Sequence, residues 1–217
     1  MSKSDNRLTK KDRPNPINEE ILIPDEAVLI SVTDPKGIIT EVNDVFSKVA
    51  GYSEEELVGA SHNVIRHPDM PKVMFKIVWE HIKDRENVMA LVKNLARDGR
   101  YYWILTDFVT KVDADRNIIN YTAYRRPVCK DVQNAIEPLY KALCAIEAVA
   151  DMDASEKFLF EFLESKEMTY DDMIEDIIIK HCKKAEALGF GESSKDTLNR
   201  MTSEKKQTLF NKFFGIK

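Results

Sequence analysis

The sequence predicts an α+β fold: an antiparallel five-stranded sheet with short helices over one face, followed by an α-helical C-terminal extension. Three observations predict it. Two β-branched runs come first, several short helical segments follow, and three long strand-like runs close the domain. Compact turn signals separate these runs. Beyond them the composition changes, because all eight prolines lie at or before Pro138 and the remainder can be continuously helical.

The chain has 217 residues, enough for one domain plus an extension. We divide it into a mobile N-terminal arm at 1–20, a domain at 21–128 and a helical extension at 129–217. The arm mixes Lys3, Arg7, Lys10, Lys11 and Arg13 with Pro14 and Pro16 and shows no apolar period. The first strand is Ala27 to Thr33, and the turn Asp34 to Gly37 leads into a second at Gly37 to Val42. Val45, Phe46 and Val49 mark a short helix that Gly51 stops. Ser53 and Glu56 have capping-box spacing and open another, which ends at Gly59.

Val73, Met74, Ile77, Val78 and Ile82 recur at helical spacing through about Lys83, giving an amphipathic helix with one buried stripe. Val88 to Leu95, Tyr101 to Val112 and Ile118 to Arg125 form a meander, with Asp98-Gly99 as its hairpin signal. A sheet curved around short helices leaves a pocket for a small ligand. In the extension, Pro138 reads as the first turn of a helix through about Val149. Glu156 to Glu164 is an aromatic helix, and Thr169 with Asp172 caps one whose apolar face runs from Met173 to Leu188. Leu209, Phe210, Phe213 and Phe214 mark a last apolar segment. Helices this short need partners, in a small bundle, on the sheet or on another chain.

Charge and composition exclude several functions. Lys and Arg total 32 against 37 Asp and Glu, a net charge of −5, and no extended basic tract seeks nucleic acid or anionic lipid. No stretch approaches the roughly 18–20 apolar residues of a membrane span, and Met1 to Asn15 lacks the apolar core of a signal peptide. A cytoplasmic protein with no direct membrane insertion is expected. Cys129, Cys144 and Cys182 are widely spaced and form no Cys-x-x-Cys pair, which points to reduced thiols and away from a thiolate zinc site.

The sharpest local signal is Ser61 to Pro71, which gathers His62, Arg66, His67 and Asp69 in a chain of four histidines. Two readings stand. The loop is a rigid polar turn, with Pro68 and Pro71 fixing φ and Asp69 capping the next helix, or an Arg/His wall for an anionic or heteroaromatic ligand. His62 and His67 are five apart, which matches neither a metallohydrolase helix nor a zinc finger. Phosphate loops, a nucleophile elbow and kinase signatures are absent from the sequence. Trp79, Tyr101, Tyr102 and Trp103 are either core or stacking surfaces. Asn43 and Asn94 are amides that can serve both donor and acceptor atoms of a ligand edge, and for Asn43 the alternative is a helix cap.

These features resemble a PAS domain, specifically the flavin-binding PAS domain of the bacterial aerotaxis receptor family. The resemblance is carried by Val42-Asn-Asp44, Gly51 to Leu57, His62 to Pro71, Val92-Lys-Asn94, Asp98-Gly99 and Tyr102-Trp103. It covers about Leu22 to Arg126 and continues in Glu137 to Leu143. It implies a sensor and not an enzyme, with FAD bound non-covalently. Asn43, Arg66, His67, Asp69, Phe75 and Asn94 match residues implicated in flavin binding, with His62 and Trp79 as further cofactor-binding candidates. The family's Gly-x-Pro-Trp-x-Gly appears here as Arg85 to Ala90, with Val88 at the tryptophan position.

The resemblance further implies energy-taxis signalling through a separate membrane-bound chemotaxis transducer, with membrane association only through that partner, and a homodimer. The alternatives are a ligand-free PAS scaffold, or haem sensing through His81 or His67.

Overall fold

The computed structural model describes residues 8–182. Five antiparallel strands, β1 (Leu29–Thr33), β2 (Ile39–Val42), β3 (Val88–Leu95), β4 (Tyr101–Val112) and β5 (Ile118–Pro127), form one sheet in the order β2-β1-β5-β4-β3. Strand alternation turns one residue in two toward the helices. Val92 and Asn94 of β3, Thr106 and Phe108 of β4, and Tyr121, Ala123 and Arg125 of β5 share that inner face.

The helices between β2 and β3 form where their caps predict. α1 (Asp44–Ala50) starts at Asn43, whose side chain accepts from Phe46 N, and stops at left-handed Gly51. α2 (Glu54–Leu57) is opened by the reciprocal Ser53–Glu56 box. A 3-10 turn spans His62–Ile65. α3 (Lys72–Lys83) buries the five apolar positions that its spacing predicts. Its cap differs from the sequence reading. Asp69 does not supply it: Glu147, 74 or more residues away in sequence, accepts from Lys72 N and Val73 N at 2.9 Å each, and a carboxylate there also opposes the helix dipole.

α4 (Lys130–Val149) begins eight residues before Pro138, so the proline lies inside the helix and not in its first turn. The stripe of Val132, Ile136, Tyr140 and Leu143 is buried against the domain, and this packing offsets the backbone hydrogen bond that Pro138 cannot make. Tyr140 stacks on outward-facing Trp103 at 6.0 Å and donates to Leu91 O at 2.7 Å. α5 (Met152–Ser165) meets α3 through Lys76–Glu156 at 2.6 Å. α6 (Tyr170–His181) has the predicted Thr169–Asp172 box and contacts β3. The extension therefore wraps the β3 edge, leaving its strand protected from strangers. Phe158 and Phe160 of α5 stay 38% and 52% exposed, so this aromatic helix buries Leu159 and Leu163 instead. The predicted continuation to Leu188 and the segment Leu209 to Phe214 lie outside the described residues.

The arm expected to be mobile is docked along residues 8–23. Ile17 N donates to Gly99 O and Ile21 N to Tyr101 O, both at 2.8 Å, and Glu20 accepts from Lys130 and Gln133. The start of β4 leaves backbone groups that this stretch satisfies. Only glycine lets it pass: a Cβ on Gly99 would come within 2.5 Å of Asn15 O.

Candidate functional site

A pocket of about 110 Å³ opens between the inner face of the sheet, α3 and the 3-10 turn. Phe75, Val78, Trp79 and Ile82, at helical spacing on α3, form one wall. Phe108 and Tyr121 form part of the other, and Trp79 meets Tyr121 edge-on at 5.5 Å. Lys36, Arg66 and Arg125 bring cations to the lining, which holds no Asp or Glu. Burial is the main cause that lowers the Arg66 pKa, Arg13 adds to it, and the nearby Glu147 carboxylate acts the other way. In a chain of net charge −5 this concentration of positive charge is local.

Arg66 donates from Nη2 to Met70 O at 2.7 Å and lies 4.8 Å over the Phe75 ring. Its backbone bridges to Asn94. Asn94 is 3% exposed; its Nδ2 makes no close hydrogen bond among the described residues but faces the buried hydroxyl of its cross-strand partner Tyr102 and favours that group's ionised form. Thr106 Oγ1 is buried and unpartnered. A buried hydroxyl left in this state is costly.

At the β5 side, Arg125 is 2% exposed. It donates to Ser31 Oγ at 2.9 Å, Ala123 O at 3.1 Å and His62 Nε2 at 2.8 Å, above the Phe46 ring at 5.2 Å. Burial and the adjacent Arg125 cation push the His62 pKa down to about 3, so the imidazole is neutral.

A family profile described as the PAS fold matches residues 39–125. These residues have the PAS fold. The aerotaxis receptor of Escherichia coli (strain K12) is 40% identical over 121 residues, 56% of this chain and 24% of the receptor. The bacterioopsin transcriptional activator of Halobacterium salinarum is 29% identical over 96 residues, covering 44% of this chain and 14% of the activator. Biofilm dispersion protein BdlA of Pseudomonas aeruginosa is 22% identical over 136 residues, 58% of this chain and 33% of BdlA. The chain thus spans a third or less of the length of these relatives. Among solved structures, the light state of the blue-light photoreceptor Aureochrome1 LOV aligns with a TM-score of 0.46 at 21% identity, covering 49% of this chain and 86% of that one.

Of the residues singled out in the sequence, His62, Arg66, Phe75, Trp79 and Asn94 line the PAS pocket. Asn43, His67 and Asp69 do not. Asn43 caps α1 and ties it to β1, accepting from Ile30 N at 3.0 Å and donating to Val28 O at 2.9 Å. His67 is buried behind the loop, with Nδ1 accepting from Asp69 N at 3.1 Å, and burial lowers its pKa to about 4. Asp69 pairs with buried Lys93 at 2.8 Å. Lys93 points away from the pocket because its neighbours Val92 and Asn94 point in. The Arg-His-Pro-Asp-Met-Pro run therefore contributes one residue to the pocket wall, Arg66, and ties the loop to β3 through Asp69.

Sequence reasoning missed Arg125, Ser31, Thr106 and Tyr121. The signal was available for Arg125, which shares strand parity with Tyr121 and Ala123 and so puts a charge on an inward position. Val88, at the family's tryptophan position, is buried opposite Phe108 and lies outside the lining. His67 and His81 are also outside it, and His81 Nδ1 is engaged by Ile77 O at 2.9 Å. No cysteine lines the pocket.

Proposed function

We propose that this chain binds FAD non-covalently in its PAS pocket and acts as a redox sensor in energy taxis, signalling by contact to a separate membrane-bound chemotaxis transducer. The observation that carries the reading is the lining itself: three cations, no carboxylate, two aromatic walls, the Asn94 amide and the unpartnered hydroxyl of Thr106. An anionic dinucleotide with a flat, acceptor-rich ring matches that set. Similarity to the aerotaxis receptor supports the taxis context.

Bound flavin supplies reversible uptake of electrons and a proton. The residues supply the rest. Arg66 would meet the pyrophosphate charge, Phe75 and Trp79 would cover the ring, and Asn94 would hydrogen-bond another polar part of the dinucleotide. A light-driven flavin–cysteine adduct has no thiol in this lining. Haem ligation by His67 or His81 has no ring in the lining either. The output surface we assign to the extension, where Phe158 and Phe160 offer exposed apolar area for the transducer or for a second copy in a homodimer.

An absorbance spectrum of the freshly purified protein tests the cofactor, followed by heat release and chromatography of the chromophore. Two flavin bands with released FAD are expected. A colourless protein that also refuses added FAD overturns the reading and favours a ligand-free scaffold, and a sharp Soret band favours haem.

A further inference from the structure

We propose that Arg125, set by His62 and Ser31, forms an anion-receiving subsite at the β5 side of the pocket and neutralises the negative charge that a bound flavin carries on its N1–C2=O edge when reduced. This deepens the FAD reading and rests on it. The structural fact behind it is a cation without a counter-ion. Arg125 is 2% exposed, and its hydrogen bonds among the described residues go to a hydroxyl, a carbonyl and a neutral imidazole. A buried charge left with neutral partners carries a desolvation cost that persists only where something else offsets it. Structural arginines in cores are commonly matched by carboxylates. Here the matching negative charge is supplied from outside the chain.

The neighbours agree with that role. Thr106 is the direct cross-strand partner of Arg125, and its hydroxyl is the orphaned donor already described. Arg125 and Thr106 thus present donors side by side, as an N1–C2=O pair of acceptors requires. Asn94 stands apart from this pair, because its partner Tyr102 is four residues from Thr106 along β4, about 13 Å at roughly 3.3 Å per residue. That separation exceeds the polar edge of one flavin ring, so Asn94 is no part of this subsite. Ser31 Oγ and His62 Nε2 lie 3.1 Å apart and hold the guanidinium from below without competing for negative charge.

The electron balance is simple. A two-electron donor reduces the flavin, one proton goes to N5, and the remaining charge stays on N1–C2=O beside Arg125. The guanidinium should then favour the reduced form over the oxidised one.

The test compares wild type, Arg125→Met and Arg125→Lys in the full chain, each loaded with FAD and titrated reductively against a reference dye with xanthine oxidase. Arg125→Met is expected to weaken the reduced form about tenfold more than the oxidised form. For a two-electron couple this lowers the midpoint potential by about 30 mV, whereas Arg125→Lys keeps the charge and most of the potential. A second measurement needs no variant. In wild type loaded with ¹⁵N-labelled FAD and reduced, the N1 resonance should remain that of the deprotonated ring at mildly acid pH, where free reduced flavin takes up a proton. An unchanged potential in Arg125→Met, or N1 protonation matching free flavin, overturns the subsite and leaves FAD binding intact. Wild type that takes up no FAD overturns both.

Discussion

Arg125 donates from Nη2 to Nε2 of His62 at 2.8 Å, across 63 residues of sequence. Arginine has no acceptor, so this nitrogen of His62 carries no proton.

The pairing makes stability depend on pH. The folded His62 has its pKa pushed down to about 3 from the ordinary 6.5. Between those values the unfolded chain binds a proton that the folded chain refuses. Stability from this group is complete above about pH 6.5 and declines as pH falls toward 3. At pH 5 the loss is about 2 kcal/mol, from roughly 1.4 kcal/mol per pH unit. His67, pushed down to about 4, adds a slope of the same sign. His62→Gln keeps an acceptor for Arg125 and removes one of the two slopes. Urea unfolding near pH 7 and pH 5 checks it, and a variant as acid-sensitive as wild type would refute the assignment.

Asn94 bears on both binding and stability. Its Nδ2 makes no close hydrogen bond but faces the buried Tyr102 hydroxyl. Asn94→Leu leaves that hydroxyl with no polar neighbour on this side and should lower the unfolding free energy of the apoprotein by about 1 kcal/mol. The same change should weaken FAD about fivefold through one lost hydrogen bond. Chemical unfolding of apoprotein and a flavin fluorescence titration read the two effects. Loss of stability with unchanged affinity would return Asn94 to the core.

The sheet, the short helices and the buried stripe of α3 were legible because period and caps are local properties. Ser53 with Glu56 and Thr169 with Asp172 both close their boxes as spaced. What was illegible is long-range. Glu147 capping α3, Asp69 answering Lys93 and residues 8–23 filling the start of β4 each join parts of the chain that no window spans. The site divides in the same way. His62, Arg66 and Asn94 lie within the motifs His62 to Pro71 and Val92-Lys-Asn94, whereas Tyr121 and Arg125 lie in none and are read only through strand parity.

Gly37 tests the aromatic wall. It sits at φ +79°, and a Cβ there would lie 3.0 Å from Cζ2 and 3.1 Å from Cη2 of Trp79. Gly37→Ala should cost about 1–2 kcal/mol through the left-handed backbone alone. The methyl group also pushes the indole that lines the pocket, so FAD affinity should fall beyond what unfolding explains. Titration under conditions where the variant is fully folded distinguishes the two, and an unchanged Kd would remove Trp79 from the wall.

Asn43 makes the opposite prediction, because its side chain is spent on the fold. Its Oδ1 accepts from Phe46 N at 2.9 Å and Ile30 N at 3.0 Å, and its Nδ2 donates to Val28 O at 2.9 Å. Loss of a cap costs about 1 kcal/mol, and the two further bonds, to Ile30 of β1 and to Val28 just before it, add a similar amount each. Asn43→Ala should therefore destabilise the domain by about 2–3 kcal/mol. Asn43→Asp keeps the cap acceptor but loses the donor to Val28, so it should fall between Asn43→Ala and wild type. In either variant, molecules that remain folded should bind FAD with wild-type affinity, so apparent flavin loss tracks the unfolded fraction and is recovered at lower temperature. A fully folded Asn43→Ala protein, judged by its unfolding baseline, that still fails to bind FAD would move this amide from the helix cap to the ligand.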